Sequence, residues 1–490
     1  MDDQYKSGTN SHLYDIFNDL GYSKVRSEQR VKIYENASRC FARVTNRNWS
    51  VADVDVTVLG SRGEGMAVAL GSDIDIMHLQ PAVRCFETFP TENKESIDKY
   101  VATFKLNFTN VPEGYAKLHL ETIKDIPWPD NHNRLVFKIK RALTSDGYLK
   151  NDQRIIDSIE NDGERVKVEG WLSAHFQHER ANGPAQPLQY PLPFRGLYIP
   201  IDFIPAFLCE YPTIFDEWFE RVQGKAWPGV DTSMKVKKSN TFVVPVGLAG
   251  SDEEVLQWRM SFTLAERLLV MSFNDAQIKT YAAMKMIVKH ALNPICENMS
   301  SYQVKTAMFW VSEKNQGILN IDDFNEMLLD VIIFLTECVR TRCLQHYFTP
   351  SKNLMFRKFS DEERSCLLAS LNAISRDIAY ALRRCPLIHI MCSLPKKEIK
   401  KRLIFRNICD ELLAAYLSIE PEEYDVIEHL LHRAQSSQEY LELYVKHVLP
   451  IVRQNNPYGY FHLLSSMNVD EITSIMMNGI KQGYNKIWLN

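Results

Sequence analysis

The stretch "LGSRGEGMAVALGSDIDIM", residues 59–77, constrains this chain more than any other. A Gly-Ser pair is followed by a loop of small residues, then by Asp-Ile-Asp running into apolar sequence. Strand side chains alternate between faces, so Asp73 and Asp75 share one face and Ile74 and Ile76 take the other. Two carboxylates about 7 Å apart on one face repel each other. A fold tolerates them with solvent or a cation between them.

A third acid from a neighbouring strand would favour the cation. Asp202, in "YIPIDFIPA", is the best candidate, a lone acid inside an apolar strand pattern. Buried without compensation it would cost several kcal/mol, so it calls for a metal or a partner, or else a solvated edge strand. Gly60-Ser61 supplies a turn on which phosphate can sit. The glycine allows close backbone approach, and the serine hydroxyl and amide donate to phosphate oxygens. No Gly-Lys-Ser/Thr follows, so this is not a Walker loop. The set suits phosphoryl or nucleotidyl transfer on two divalent cations, Mg²⁺ or Mn²⁺.

The chain has 490 residues, which suits two or three packed lobes. Its net charge of −4 rules out a global basic excess, leaving only local basic surfaces for a polyanion. The N-terminus "MDDQYKSGTNSHLYDIF" lacks the apolar core of a signal peptide, and the longest apolar run, "VIIFL" at 331–335, is far short of a membrane span. The ten cysteines form no C-x-x-C pair. Reduced thiols, a cytoplasmic location and no zinc knuckle are expected.

Residues 1–12 read as a disordered N-terminus. Residues 13–48 read as one helix, or two in series broken near Gly21. Along the helix, Tyr34, Ala37, Phe41 and Val44 recur on one stripe, with Lys32, Arg39, Arg43 and Arg47 opposite. That basic stripe is either a solvated face or a polyanion-binding ridge. "VADVDVTVL", "FKLNFT", "AKLHLETI" and "GLYIPIDFIPAFL" alternate as strands, giving a mixed lobe over 13–250. From Glu253 the apolar spacing turns to three and four, which marks a helical lobe over 251–356 and a helical extension over 357–490. Within the extension, "PKKEIKKRLIFR" clusters Lys396, Lys397, Lys400, Lys401, Arg402 and Arg406, again a solvated face or a polyanion contact.

The Gly-Ser turn, the two-plus-one acids and the later segments "WRMSFTLAERLL", "SSYQVKTAMFW" and "RCLQHYFTPSKNLMF" resemble the male-abnormal (Mab-21) family of nucleotidyltransferases. That family includes cyclic GMP-AMP synthase and the animal receptors similar to it. The resemblance spans about residues 15–356. It implies an α+β, two-lobed nucleotidyltransferase fold with a mixed central sheet, a helical C-terminal lobe and the added extension. It also implies a cyclic dinucleotide made from ATP and GTP, with the site in the cleft between lobes. Asp73, Asp75 and Asp202 would then be the metal triad. Gly60 and Ser61 would hold phosphate, and Arg259, Ser261 and Thr263 would read a guanine edge and the adjoining phosphates. Lys285 and Ser301 would contact phosphates, and the Tyr302 ring would stack on a base, a role that phenylalanine could also fill. The vertebrate DNA sensor carries a zinc ribbon ahead of the lysine helix. "RLLVMSFNDAQIKTYAAM" stands there and contains no Cys or His, so no zinc is expected. That resembles invertebrate members and makes double-stranded RNA the expected activator, lying along Lys32, Arg39, Arg43 and Arg47. Binding would order the loop from Arg62 to Gly71, with Gly63, Gly65 and Gly71 as its pivots. Two rival readings remain: a non-catalytic member that binds a nucleotide or a protein, and a template-independent polymerase similar to oligoadenylate synthetase.

Overall fold

The computed structural model describes residues 12–48, 55–68, 72–89, 97–125, 131–151, 186–191, 198–315, 324–355, 359–419, 423, 426–427, 431, 434–454, 456 and 459–484. Its sheet has eight strands: β1 (Asp55–Leu59), β2 (Ile74–Phe86), β3 (Ala102–Asn107), β4 (Tyr115–Ile123), β5 (Gln186–Pro191), β6 (Tyr198–Glu210), β7 (Thr241–Val244) and β8 (Trp258–Ser261). Their order is β1-β2-β3-β4-β8-β7-β6-β5, and β2 also pairs with β6. The pairings of β2, β3, β4, β8, β7 and β6 therefore close on themselves. Length makes this possible. On one edge, β2 pairs antiparallel with β1 through its first half and parallel with β3 through Val83–Phe86, while β6 runs parallel along its other edge. Pro81, which lacks an N–H, sits where the β2–β6 register shifts between Leu79 and Arg84. The strands enclose a stack of rings in which Phe207 lies 6.3 Å from Phe104 and 5.3 Å from Trp258.

The N-terminal helical stretch is two helices in series. Residues 12–19 form the first, Lys24–Asn48 the second, here called the spine. Gly21 breaks them at φ +88°, a value only glycine adopts without strain, and its carbonyl accepts from Arg30 Nη1 at 2.9 Å. The first helix anchors Tyr14 and Phe17 against Phe324.

The expected boundary at 250/251 falls between β7 and β8, and both belong to the sheet. Helical texture begins at Glu253, yet the chain returns to the sheet once more before Thr263–Met271 starts. The boundary at 356/357 is equally soft. Leu367, Leu371 and Ile374, on the helix Asp361–Arg376, share one core with the helices before them.

The rest of the extension builds a second core. Ile74 and Ile76 of β2, Ile201 and Phe203 of β6, and Tyr34 and Ala37 of the spine pack against Phe405, Ile408, Leu412 and Leu413 of the helix Lys396–Leu417. The basic cluster of the extension is thereby split. Lys396, Lys397, Lys400 and Lys401 are exposed, Arg402 bonds Glu398 and lies over Tyr484, and Arg406 is buried. Asp410, 1% exposed, accepts from Arg30 Nε at 3.4 Å and from the Tyr460 hydroxyl at 2.7 Å. This buried pair ties the extension to the spine. Breaking such a pair leaves a buried charge uncompensated, so Asp410→Ala is expected to lower unfolding free energy by about 3–5 kcal/mol in urea titrations.

Candidate active site

The acids meet because two strands are in register. Asp75 lies opposite Asp202 across the parallel β2–β6 pair and opposite Leu59 across β1. Asp73 precedes the first residue of β2, and carboxylate oxygens of Asp73, Asp75 and Asp202 all lie within 4.8 Å of one another. Alternation divides the faces as the sequence requires. Ile74 and Ile76 enter the core under the extension, while Asp75 is followed on its own face by Met77 and Leu79, which pack in a small separate cluster.

Gly60 is dictated by Asp75. At φ +60° an added Cβ would lie 1.7 Å from Asp75 Oδ2, so any side chain here displaces the carboxylate. Asp73 is set by Arg62. This fully buried side chain donates to the carbonyls of Ser72 and Asp73 and to the Tyr34 hydroxyl at 2.8 Å. The reading of Arg62 to Gly71 as a freely pivoting loop needs correction. Gly63 lies in a helical turn, and a Cβ on Gly65 would meet Ser27 O at 2.3 Å, so residues 62–68 are packed against the spine. Gly71 lies outside the described residues.

Burial, then the neighbouring Asp73 and Asp202, pushes the Asp75 carboxyl up to about 7. Burial and Asp73 also raise Asp202. Three mutually repelling carboxylates with oxygen-only donors fit hard divalent cations such as Mg²⁺ or Mn²⁺, which relieve that repulsion. Facing them, Lys285 Nζ donates to Ser61 Oγ at 2.6 Å. Burial lowers the pKa of this lysine, against the opposing pull of Glu64, Asp73 and Asp75. Ser61, Asp73, Lys285 and Ser301 line one cavity of about 410 Å³. Ser301 is exposed in the first turn of Ser301–Lys314, a helix capped by Ser300 and Gln303.

Arg259, Ser261 and Thr263 are half-buried on β8 and the start of the next helix. Burial raises the pKa of the Tyr115 and Tyr302 phenols, and the nearby Arg259 only opposes that rise. The Ser261 and Thr263 hydroxyls are 3.3 Å apart. On the spine, Lys32 and Arg39 are exposed, while the side chains of Arg43 and Arg47 fall outside the described residues.

Tyr302 differs from its expected role in one respect. Its ring is half-buried, but its hydroxyl belongs to a chain of contacts that the sequence did not disclose. His346 Nδ1 accepts from the Phe348 and Thr349 amides, and burial holds the imidazole neutral by pulling its pKa down to about 3. Nε2 therefore carries the proton and donates to Tyr302 Oη at 2.9 Å. Tyr302 donates in turn to Glu266 at 2.9 Å, and Lys305 joins Glu266 to Glu64. Burial disfavours the Lys305 ammonium, but Glu64 and Glu266 outweigh it and hold the pKa above its ordinary value. Glu64, Glu266, Lys305 and His346 sit singly in unrelated segments, and no spacing pattern links them.

A glycine-serine turn opposed by a lysine, beside two acids in register on paired strands and a third just ahead of them, matches the site expected from the resemblance to nucleotidyltransferases. Comparison with known proteins agrees. Residues 276–373 match the Mab-21 protein HhH/H2TH-like domain. The chain is 25% identical over 321 residues to a cyclic GMP-AMP synthase-like receptor of Magallana gigas, covering 62% of this chain and 51% of that protein. It is 28% identical over 180 residues to Protein mab-21-like 3 of Xenopus laevis, covering 35% and 44%. It is 21% identical over 376 residues to cyclic GMP-AMP synthase of Mus musculus, covering 72% and 65%. The chain thus matches about half the length of the first two relatives and just under two thirds of the third. Residues 276–373 thus carry a Mab-21 domain, and these similarities support a protein of the Mab-21 and cyclic GMP-AMP synthase-like type, within the nucleotidyltransferases. No helix among the described residues is long and apolar enough to cross a membrane.

Two outcomes follow from this geometry. Tyr302→Phe strips a partner from buried Glu266 and His346, so it should destabilise the protein by about 1–3 kcal/mol in thermal melts, where simple ring stacking predicts no change. For Asp75, the folded-state pKa lies above the unfolded value, so the cation-free protein loses stability as pH rises from about 4 to about 7. In chelator at pH 8, Asp75→Asn should therefore melt higher than the parent. Added Mg²⁺ should raise the Tm of the parent and leave the variant unmoved.

Proposed function

We propose that this chain is a divalent-cation-dependent enzyme that joins ATP and GTP into a cyclic dinucleotide in the cytoplasm, as a sensor in innate antiviral defence. Double-stranded RNA along the spine is its activator. The single observation that carries the reading is the approach of the Asp73, Asp75 and Asp202 carboxylates to within 4.8 Å, beside a serine already bonded to a lysine. In support, the Mus musculus relative is a cyclic GMP-AMP synthase and the Magallana gigas relative a receptor similar to one.

In this reading Asp73, Asp75 and Asp202 hold two Mg²⁺ or Mn²⁺ ions. The ions supply activation of the attacking ribose hydroxyl and neutralisation of the departing pyrophosphate. The chain's own groups do the rest. Gly60 lets the backbone approach the phosphates, and Ser61, Lys285 and Ser301 hold them. One of the carboxylates takes the hydroxyl proton. Arg259, Ser261 and Thr263 read the base edge, and the Tyr302 ring stacks on a base with its hydroxyl fixed from behind. Two rounds of transfer close the ring. Lys32, Arg39, Arg43 and Arg47 contact RNA phosphates, a mode that reads A-form shape and backbone and little sequence.

The test is incubation with labelled ATP, GTP, CTP and UTP and Mg²⁺ or Mn²⁺, with and without long double-stranded RNA or DNA, followed by product separation. A cyclic product from ATP and GTP is expected, dependent on double-stranded RNA in Mg²⁺ and lost in Asp202→Asn. The double variant Lys32→Glu/Arg39→Glu should lose RNA dependence and RNA affinity while keeping its Mn²⁺ basal activity. Linear oligomers in place of a cyclic product would instead support the polymerase reading. An inert but nucleotide-binding parent would support the non-catalytic one.

A further inference from the structure

The cavity that holds Ser61, Asp73, Lys285 and Ser301 is also walled by the extension, through Leu387 and Arg406. Arg406 lies well beyond residue 373, where the family match ends. Among the charged residues lining the cavity, three are cations (Lys285, Lys289 and Arg406) and one is an acid (Asp73). The imidazole of His290 adds no fixed charge, because burial and the adjacent Lys289 lower its pKa.

Arg406 is 4% exposed, an expensive place for a guanidinium. Tyr22 is a hydrogen-bond partner of its side chain, and Asp410, which also pairs with Arg30, lies near enough to interact with it electrostatically. Among the described residues that line the cavity, cations therefore outnumber acids, and Arg406 is the cation that the extension adds. A protein gains from such an excess where a multiply charged anion arrives. The planar fork of a guanidinium matches two phosphate oxygens at once.

We propose that Arg406, supplied by the extension, binds the terminal phosphates of the nucleoside triphosphate whose reacting phosphate is held at the acids. The extension then completes the phosphate site as well as covering the sheet. The inference rests on the nucleotide reading above and adds a residue to it. It also gives the extension helix a function that its exposed lysines do not supply.

The experiment compares ATP and AMP affinities for the full chain in Mg²⁺ by calorimetry, in the parent, Arg406→Met, Arg406→Lys and Leu387→Glu. Asp410 keeps Arg30 and Tyr460 in Arg406→Met, so that variant is expected to fold. It should lose about tenfold or more in ATP affinity, with AMP affinity within about twofold of the parent. Arg406→Lys should fall between the two, since it keeps the charge and loses the fork. Leu387→Glu leaves the Arg30–Asp410 pair untouched and puts a carboxylate into the same cavity, so it should also weaken ATP selectively. An ATP-to-AMP ratio equal to the parent's in folded Arg406→Met overturns the inference. If Arg406→Met does not fold, the same result in Leu387→Glu overturns it. A parent that binds neither nucleotide overturns the nucleotide reading and this inference together, whereas a parent that prefers ATP beside variants that prefer it equally removes the inference alone.

Discussion

Three carboxylates held within 4.8 Å of one another are the constraint on which the rest of the molecule depends. No isolated strand would keep them there, because each ionised acid repels the others and burial of Asp75 adds a desolvation penalty. The closed strand pairing supplies the opposing force. β2 is bonded on both edges, to β1 and β6, at the level of Asp75, so the backbone that carries this carboxylate cannot shift without breaking ladder bonds on both sides. Gly60, by lacking a Cβ, leaves Oδ2 its place. The fold stores repulsion at one point by over-determining the backbone around it, as strained functional sites generally do.

That rigidity has to be backed from behind. The face of β1, β2 and β6 opposite the acids presents Val56, Val58, Ile74, Ile76, Ile201 and Phe203 to a core shared with the spine and the extension. The second half of the helix Lys396–Leu417 is buried on all its sides, as expected of a helix that sits inside a core and not on a surface. The extension is thus structural for the acid-bearing sheet, even though it lies far from it in sequence. The Arg30–Asp410 pair couples it to the spine at the same depth.

Local pattern made much of this legible. The alternation around Asp-Ile-Asp fixed which side chains face the site. The lone acid in "YIPIDFIPA" proved to be the register partner of Asp75, because an uncompensated acid in an apolar strand needs a reason. The break near Gly21 was readable from glycine alone. Long-range polar pairing was not legible. Arg62, Glu64, Glu266, Lys305 and His346 each look like ordinary surface residues on their own element, and only the assembled fold buries Arg62 against Tyr34 and joins the other four through Tyr302 and Lys305. The small-residue loop misled for a related reason. Its glycines suggest freedom, whereas Gly63 and Gly65 are there because Val58 O and Ser27 O pass too close for any side chain. The texture change at Glu253 misled because a four-residue strand, β8, carries too little alternation to interrupt a helical pattern.

The packing of residues 62–68 moves the burden of any switch onto the spine. Ser27 Oγ donates to Glu64 O, and Arg30 reaches Gly65 O from a helix whose outer face carries Lys32 and Arg39. Glu64 in turn holds Lys305, and both act on the charge state of Asp75. In the proposed activation, a polyanion on Lys32 and Arg39 would press on a helix that already touches the site's backbone on its inner side. A small displacement of Ser27 and Arg30 would move Glu64, and the Glu64–Lys305 pair would carry that displacement to the acids. Because Arg30 also grips Asp410, the same displacement would be felt by the extension at Arg406, so the two ends of the cavity would respond to one helix.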